Sequence, residues 1–142
     1  MDHIFSREVT ESISYGRAEA LRLGNAFIGP EHLLLGLLRQ GDNAAFYVLK
    51  CMPVDIGRLR EGVERSVRVA SEGAPALGMA EGLTWQAEKV IRDSFDIAES
   101  FTSREVEPEY LMLSLLQERE SKAAPILQEM GVSYASFLKE LV

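Results

Sequence analysis

The sequence is poor in the residues that build covalent or metal-bound sites. Its 142 residues include one cysteine, Cys51, and two histidines, His3 and His32. A single cysteine excludes an internal disulfide and a cysteine-based metal cluster, and it favours a reducing, cytoplasmic setting. The histidines lack the His-Glu-x-x-His spacing and a third ligand, so no metal site is predicted. Cys51 itself is expected to be a small buried hydrophobe on a short helix.

Long apolar runs and nucleotide-binding motifs are also missing. The longest strongly apolar stretch, residues 33–38, is interrupted by Gly36 and is too short to span a bilayer. The N-terminus has no basic segment followed by an apolar one, so no secretory signal is predicted. No Gly-x-x-x-x-Gly-Lys-Ser/Thr loop is present. Trp85 and the phenylalanines fall at helical spacing, typical of core or interface positions. We therefore expect a binding module with no catalytic residues and no cofactor.

The net charge of −7 is unevenly distributed along the chain. Residues 1–70 contain nine Lys or Arg and nine Asp or Glu, whereas residues 71–142 contain six and thirteen. An acidic surface repels phosphate backbones and anionic lipid headgroups, so nucleic acid and membrane are not expected as partners. A basic or arginine-bearing protein segment fits the charge better. The alternative is a solvated acidic face that only keeps the domain soluble.

An internal repeat organises the sequence. When the chain is shifted by 78 residues, residues 5–64 align without a gap over 83–142, and twelve of these sixty positions are identical. The matches include a Pro-Glu-x-Leu-x-Leu-x-Leu-Leu stretch and a downstream Leu-x-x-Met-x-Val. We predict a duplication: repeat one over residues 5–69, a Gly- and Pro-containing linker over 70–82, and repeat two over 83–142.

Each repeat predicts four helices and no strand. In each repeat a proline opens an apolar, leucine-rich helix, and Ser, Thr, Asn or Asp residues precede the other helices. The predicted helix caps are Ser6, Asn43 and Asp55 in repeat one and Thr84, Ser121 and Ser133 in repeat two, with Pro30 and Pro108 as the opening prolines. The fold class is therefore an all-α, eight-helix domain with pseudo-twofold symmetry, because a single repeat has too small a core.

Two glutamates are the most informative polar residues. Glu31 and Glu109 each follow the helix-opening proline, so each carboxylate lies in a first helical turn. One interpretation is structural, because an acid there interacts favourably with the helix dipole by about 0.3–1 kcal/mol. The other is a pair of binding sites in which the carboxylate meets a cation. Helix N-termini and the hydroxyls of Ser6 and Thr84 would then face an anion, as a modified arginine requires.

The chain resembles a known family. Residues 19–25 and 28–39, which include Gly29-Pro30-Glu31-His32 before Leu-Leu-Leu-Gly-Leu, resemble the first repeat of the Clp N domain. That domain precedes the AAA+ rings of ClpA, ClpB and ClpC, and the signature around Glu31 is most similar to ClpC. The resemblance covers essentially the whole chain. It implies a compact eight-helix domain without enzymatic activity, tethered to an ATP-driven unfoldase that feeds a ClpP-type protease.

The resemblance also implies ligands. ClpC-like N domains dock adaptor proteins and substrates and bind phosphoarginine, with the motif glutamate receiving the guanidinium group. Here those positions are Glu31 and Glu109, with Ser6 and Thr84 on the phosphate side. Repeat two departs from the motif, because Glu107 replaces the glycine and would repel a phosphate, so we expect a weakened second site. A stand-alone relative that braces or regulates a Clp protease ring is the alternative function.

Overall fold

A computed structural model describes residues 4–68 and 82–142 of the chain. Residues 4–68 form β1 (Ile4–Phe5), α1 (Arg7–Arg22), α2 (Pro30–Gln40), α3 (Ala44–Cys51) and α4 (Ile56–Val67). Residues 82–142 form α5 (Trp85–Ser100), β2 (Glu105–Val106), α6 (Pro108–Gln117), α7 (Ala123–Glu129) and α8 (Tyr134–Leu141). The predicted all-α fold with four helices per repeat is confirmed. The predicted linker, apart from Gly82, lies outside the described residues.

The helix starts follow from local capping chemistry. The Ser6 hydroxyl accepts a hydrogen bond from the Val9 N–H at 3.2 Å, and the Thr84 hydroxyl accepts one from the Ala87 N–H at 3.1 Å. Each satisfies an amide that has no partner inside its helix. The remaining side-chain caps are Asn43, Asp55 and Ser133.

Four expectations need correction. Lys122 holds the N-cap position of α7, although the Ser121 hydroxyl still accepts from the Ala124 N–H at 3.1 Å. Cys51 is exposed, because α3 buries the face that carries Ala45 and Leu49. Trp85, expected at a core or an interface position, is 60% exposed at the start of α5, which excludes the core position. Two short strands also form where none was predicted, since two-residue strands leave no readable alternation.

The two proline-opened helices lie at the centre of the fold. Every residue of α2 from Pro30 to Leu38 is buried, and α6 buries Pro108 and residues 111–115. The two helices contact each other, and α3 and α4 of repeat one pack against α8 and α7 of repeat two. A helix that is apolar on all sides is stable only when neighbours surround it. The repeats therefore share one core.

Close packing of α1 against α2 depends on two glycines. A Cβ on Gly16 would lie 2.8 Å from the His32 carbonyl oxygen, and a Cβ on Gly36 would overlap the Ser12 carbonyl oxygen. In repeat two the position of Gly36 is held by Ser114, whose hydroxyl donates to the Val90 carbonyl at 2.6 Å. The second helix pair thus replaces a bare backbone contact with a buried side-chain hydrogen bond.

Backbone pairing links the start of each repeat to the other repeat. β1 lies parallel to β2, with Phe5 opposite Val106, and the Ser6 N–H donates to the Val106 carbonyl at 3.1 Å. The same arrangement recurs 78 residues later, where Leu83 bridges Ile28 and the Thr84 N–H donates to the Ile28 carbonyl at 2.9 Å. Each N-cap is therefore held beside the helix that carries the other repeat's glutamate.

An ion-pair network joins three helices of repeat one. Glu19, 5% exposed, pairs with Arg22 at 2.7 Å and with Arg39 at 3.0 Å, and Arg22 also reaches Glu64 at 2.7 Å. Burial by itself would raise the pKa of Glu19, but the two arginines outweigh it and hold that pKa below its usual range. The network joins α1, α2 and α4. In repeat two the position of Glu19 is held by the buried Ile97.

We predict that Gly36→Ala destabilises the domain by more than about 2 kcal/mol, because the new methyl group collides with rigid backbone of α1. Gly57→Ala is the control. Its Cβ would lie 3.4 Å from the Asp55 carboxylate, and repeat two already has Ala135 there. That change should leave stability unaltered or raise it by up to about 1 kcal/mol. Urea unfolding followed by circular dichroism measures both, and equal stabilities would refute the close-contact argument.

Candidate functional site

A cavity of about 330 Å³ lies where the first turn of α2 meets the starts of α5 and α7. We call this cavity site one and define it by Glu31, Thr84, Gln86 and Lys122, which line it together with Phe27 on the rim. Glu31 comes from repeat one, whereas the other three defining residues come from repeat two. The cavity therefore exists only because the repeats pack together.

Glu31 is held by a contact between repeats. Its side chain is 8% exposed, and Oε2 accepts a hydrogen bond from the Lys122 N–H at 2.7 Å. Lys122 is the N-cap of α7, so the carboxylate satisfies an amide at a helix start. Within the described part of the chain no donor reaches its other oxygen, Oε1. Site one thus offers a charged acceptor that is fixed at one oxygen and open at the other.

Gly29 makes this placement of Glu31 possible. A Cβ at Gly29 would lie only 2.6 Å from Oε1 of Glu31. Any side chain at position 29 would therefore push the carboxylate out of its present position. The glycine two residues before Glu31 is therefore required for steric reasons. Repeat two has Glu107 at the equivalent position, so Glu109 cannot adopt the same arrangement without a shift.

A buried hydrogen-bond relay positions the start of α2. The Gly29 N–H donates to Nδ1 of His32 at 2.9 Å, so the ring proton lies on Nε2, which is 2.7 Å from Oδ1 of Asn25. The Asn25 amide in turn donates to the Val67 carbonyl at 2.8 Å. Burial lowers the pKa of His32 and keeps the ring neutral. His32 is thus a positioning residue that ties α2 to the end of α4.

The equivalent place in repeat two, which we call site two, is more acidic. It comprises Ser6, Glu8, Glu107 and Glu109. Burial raises the pKa of Glu109, and the charges of Glu107 and Glu8 raise it further, opposed in part by the Glu109 N–H. Oε1 of Glu109 is buried without a hydrogen-bond partner among the described residues. Site one has the neutral Gly29 and Gln86 where site two has Glu107 and Glu8.

The relay is also replaced in repeat two. Tyr110 stands at the position of His32, and Ser103 is the equivalent of Asn25. The Tyr110 ring stacks on Phe101 with centroids 5.1 Å apart. Burial raises the pKa of Tyr110, with the charge of Glu109 adding to it. The stacked rings of Tyr110 and Phe101 therefore replace the His32–Asn25 hydrogen bond beside the first turn of the central helix.

The structure separates the predicted site residues into two groups. Thr84 lies with Glu31, and Ser6 lies on the Glu109 side, because the N-caps are exchanged between repeats. Sequence reasoning missed Lys122 and Gln86, which no motif marks. In the sequence these two positions could have been found only by comparing the repeats, because Gln86 and Lys122 differ in charge from their counterparts, Glu8 and Ala44.

Over residues 4–68 and 82–142, no group of three His, Cys, Asp or Glu side chains could hold a metal ion. None of the described helices is both long and apolar enough to cross a membrane.

The family model for the Clp repeat (R) N-terminal domain matches residues 4–76 and 82–142. The chain belongs to this Clp N-terminal repeat family. Among curated relatives of this Clp N domain, ClpC/MecB of Bacillus subtilis, a negative regulator of genetic competence, is 33% identical over 129 residues. The chaperone protein ClpB of Oceanobacillus iheyensis is 32% identical over the same length. These alignments cover 91% of the domain but only 15% and 16% of the relatives.

Solved structures agree on the fold. The Hsp104 N-terminal domain from Candida albicans matches 98% of this Clp N domain with a TM-score of 0.79 at 17% identity, over 89% of that chain. The N-terminal domain of ClpD from Arabidopsis thaliana matches 96% with a TM-score of 0.72 at 18% identity, over 91% of that chain. At such identities the likeness concerns the fold alone.

We predict that Glu109→Gln and Glu31→Gln have opposite effects on stability at neutral pH. The folded state raises the pKa of Glu109 above its usual value near 4.5, so folding disfavours the charged carboxylate. This destabilisation is absent below about pH 4.5 and develops as the pH rises through the folded value. Glu109→Gln should therefore stabilise the domain at pH 7 and have little effect at pH 4.

Glu31→Gln is the matched substitution in repeat one. It replaces a charged acceptor by a neutral one opposite the Lys122 N–H, and we expect a loss of about 1 kcal/mol at pH 7. Urea unfolding of the wild type and both variants between pH 4 and pH 8 measures the difference. A Glu109→Gln variant that is less stable than wild type at pH 7 would contradict the account of site two.

Proposed function

We propose that this Clp N domain docks substrates and adaptors for a ClpC-like, ATP-dependent unfoldase that acts with a ClpP-type protease in the cytoplasm. Membership of the Clp N-terminal family and the ClpC and ClpB relatives support this proposal. The chain spans only about one-sixth of those relatives, so the unfolding activity would belong to a longer protein. Sequencing of the gene beyond residue 142 tests this proposal. A reading frame without a nucleotide-binding loop would favour the alternative, a stand-alone protein that braces or regulates a Clp protease ring.

We further propose that site one recognises proteins marked with phosphoarginine. The open oxygen of Glu31 suits the guanidinium group, since a carboxylate pairs with its planar fork of donors. Thr84, Lys122 and the first-turn N–H groups of α5 suit the phosphate. Both charges of the ligand would then be matched within one cavity. The single observation that carries this proposal is the convergence of Glu31, Thr84 and Lys122 from two repeats on that cavity.

Site two is proposed to bind this ligand weakly or not at all. Glu8 and Glu107 add two carboxylates close to Glu109, where site one has uncharged residues, and like charges would repel the phosphate of the ligand. Burial and, to a smaller extent, the charges of Glu107 and Glu8 raise the pKa of Glu109, so the folded domain already disfavours negative charge at this place. The difference in charge between the two sites comes from two positions, because Gln86 and Gly29 of site one correspond to Glu8 and Glu107 of site two.

Calorimetric titration with free phosphoarginine tests the assignment. We expect a single binding event per chain, a loss of at least about tenfold in affinity for Glu31→Ala, and no change beyond about twofold for Glu109→Ala. Circular dichroism and thermal unfolding of both variants serve as fold controls. Equal losses from the two substitutions would contradict the asymmetry, and no binding by the wild type would refute phosphoarginine as the ligand.

Substitutions at the two equivalent positions 29 and 107 give a sharper test. Gly29→Ala should weaken binding as strongly as Glu31→Ala, because the added Cβ displaces Oε1 of Glu31. Glu107→Gly should increase binding at site two, because it removes both a like charge and the steric obstacle to Glu109. Titration of the Glu31→Ala, Glu107→Gly double variant with phosphoarginine measures binding at site two alone. If that double variant binds no better than Glu31→Ala alone, the proposed role of position 107 is wrong.

A further inference from the structure

The loop between α6 and α7, residues 118–122, contributes to site one. Three of its residues, Glu120, Ser121 and Lys122, line the cavity. The last of them, Lys122, also supplies the N–H that donates to Oε2 of Glu31 at 2.7 Å. A backbone N–H moves only with its chain, so the contact to Glu31 depends on the conformation of this loop.

Glu118 is buried at the start of the loop, where it is the C-cap of α6. It is 6% exposed, and its Oε1 accepts a hydrogen bond from the Glu120 N–H at 3.3 Å. A glutamate is rarely buried to this extent unless its carboxylate has a partner. The described residues that line site one do not include Glu118. Its carboxylate therefore contacts the loop and not the cavity.

Repeat one has the same contact between the end of its central helix and the loop that follows. Gln40 stands at the position of Glu118, and its Oε1 accepts a hydrogen bond from the Asp42 N–H at 2.8 Å. Asp42 corresponds to Glu120, so the donor lies two residues after the acceptor in both repeats. The same oxygen accepts from Nδ2 of Asn43, the N-cap of α3, at 2.7 Å. A side-chain oxygen at this position therefore bonds the loop to the end of the central helix in both repeats.

The other end of the side chain differs between the repeats. Nε2 of Gln40 donates to the Glu11 carboxylate at 3.1 Å, whereas Oε2 of Glu118 is buried without a hydrogen-bond partner among the described residues. Lys89 stands at the position of Glu11 and bonds to Asp93 at 3.0 Å. The hydrogen bond to Asp93 raises the pKa of Lys89, and the charge of Glu118 adds to the rise. Repeat two has thus replaced an amide and a carboxylate by two opposite charges, and the acceptor for the loop is common to both arrangements.

We propose that Glu118 is a positioning residue of site one, whose carboxylate holds residues 118–122 so that the Lys122 N–H meets Glu31. Loss of the acceptor would free the Glu120 N–H and allow the loop more conformations, because fewer of its backbone angles would be fixed. Glu31 would then lose the contact that fixes one of its oxygens. The effect on ligand binding rests on the proposed function of site one, whereas the effect on the Lys122 amide does not.

Amide hydrogen exchange, followed by nuclear magnetic resonance of the labelled domain, tests the positioning directly. In Glu118→Ala the Lys122 amide should exchange about tenfold faster than in wild type, as expected for the loss of one hydrogen bond. The affinity for phosphoarginine, measured by calorimetric titration, should fall by about fivefold. Glu118→Gln keeps the acceptor oxygen and copies Gln40, so it should restore both values to within about twofold of wild type.

Gln40→Ala is the matched control, because it removes the equivalent acceptor from repeat one. It should lower the temperature of thermal unfolding about as much as Glu118→Ala does, but leave the exchange of Lys122 and the phosphoarginine affinity unchanged. Glu118→Leu, which fills the buried space with an apolar side chain, takes the place of Glu118→Ala if that variant does not fold.

Exchange of Lys122 at the wild-type rate in Glu118→Ala would overturn the proposal, as would equal losses in Glu118→Ala and Glu118→Gln. Faster exchange without any loss of affinity, in a domain whose wild type binds phosphoarginine, would also overturn it. If the wild type does not bind phosphoarginine but the exchange of Lys122 responds as expected, the ligand assignment is wrong and the positioning role of Glu118 stands.

Discussion

The exchange of backbone hydrogen bonds between the two repeats determines where every candidate site residue lies. The N–H groups of Ser6 and Thr84 each donate to the strand segment that precedes the other repeat's central helix. Because each N-cap is tied to the opposite repeat, neither glutamate has a complete site within its own sequence unit. The contact from Glu31 to the Lys122 N–H strengthens the same connection at site one. The fold and the candidate sites therefore rely on one set of contacts, and a single repeat would have neither a full core nor a full candidate site.

Sequence reasoning was reliable where the physics is local. A cap needs only its own hydroxyl or carboxylate and an amide three residues on, so Ser6, Asn43, Asp55, Thr84 and Ser133 could be placed from the sequence. It was less reliable where the outcome depends on packing between distant segments. The exposure of Cys51 depends on which side of α3 faces α6 and α8, and periodicity over eight residues does not decide that. Thr84 lies in the same cavity as Glu31 because short segments of the two repeats pair with each other. Such short segments have no periodic pattern in the sequence.

The difference between the two sites comes from a few side chains on a common backbone. Gly29 leaves room for the carboxylate of Glu31, whereas the equivalent residue of repeat two, Glu107, carries a side chain and a negative charge. Oε1 of Glu109 is buried without a hydrogen-bond partner among the described residues, and burial, together with the charges of Glu107 and Glu8, raises the pKa of Glu109. Burial of the charged Glu109 carboxylate is therefore expected to lower the stability of the fold at neutral pH. An acid that only interacted with the helix dipole would be expected to raise it.

Duplication also explains why the two repeats keep a common core while their sites differ. The buried positions of the central helices must satisfy the same packing in both repeats, and Leu33, Leu35 and Leu37 are accordingly matched by Leu111, Leu113 and Leu115. Positions outside the core are free of that constraint, so Gly29 and Gln86 in site one correspond to Glu107 and Glu8 in site two. The same backbone arrangement thus carries two candidate sites of different charge.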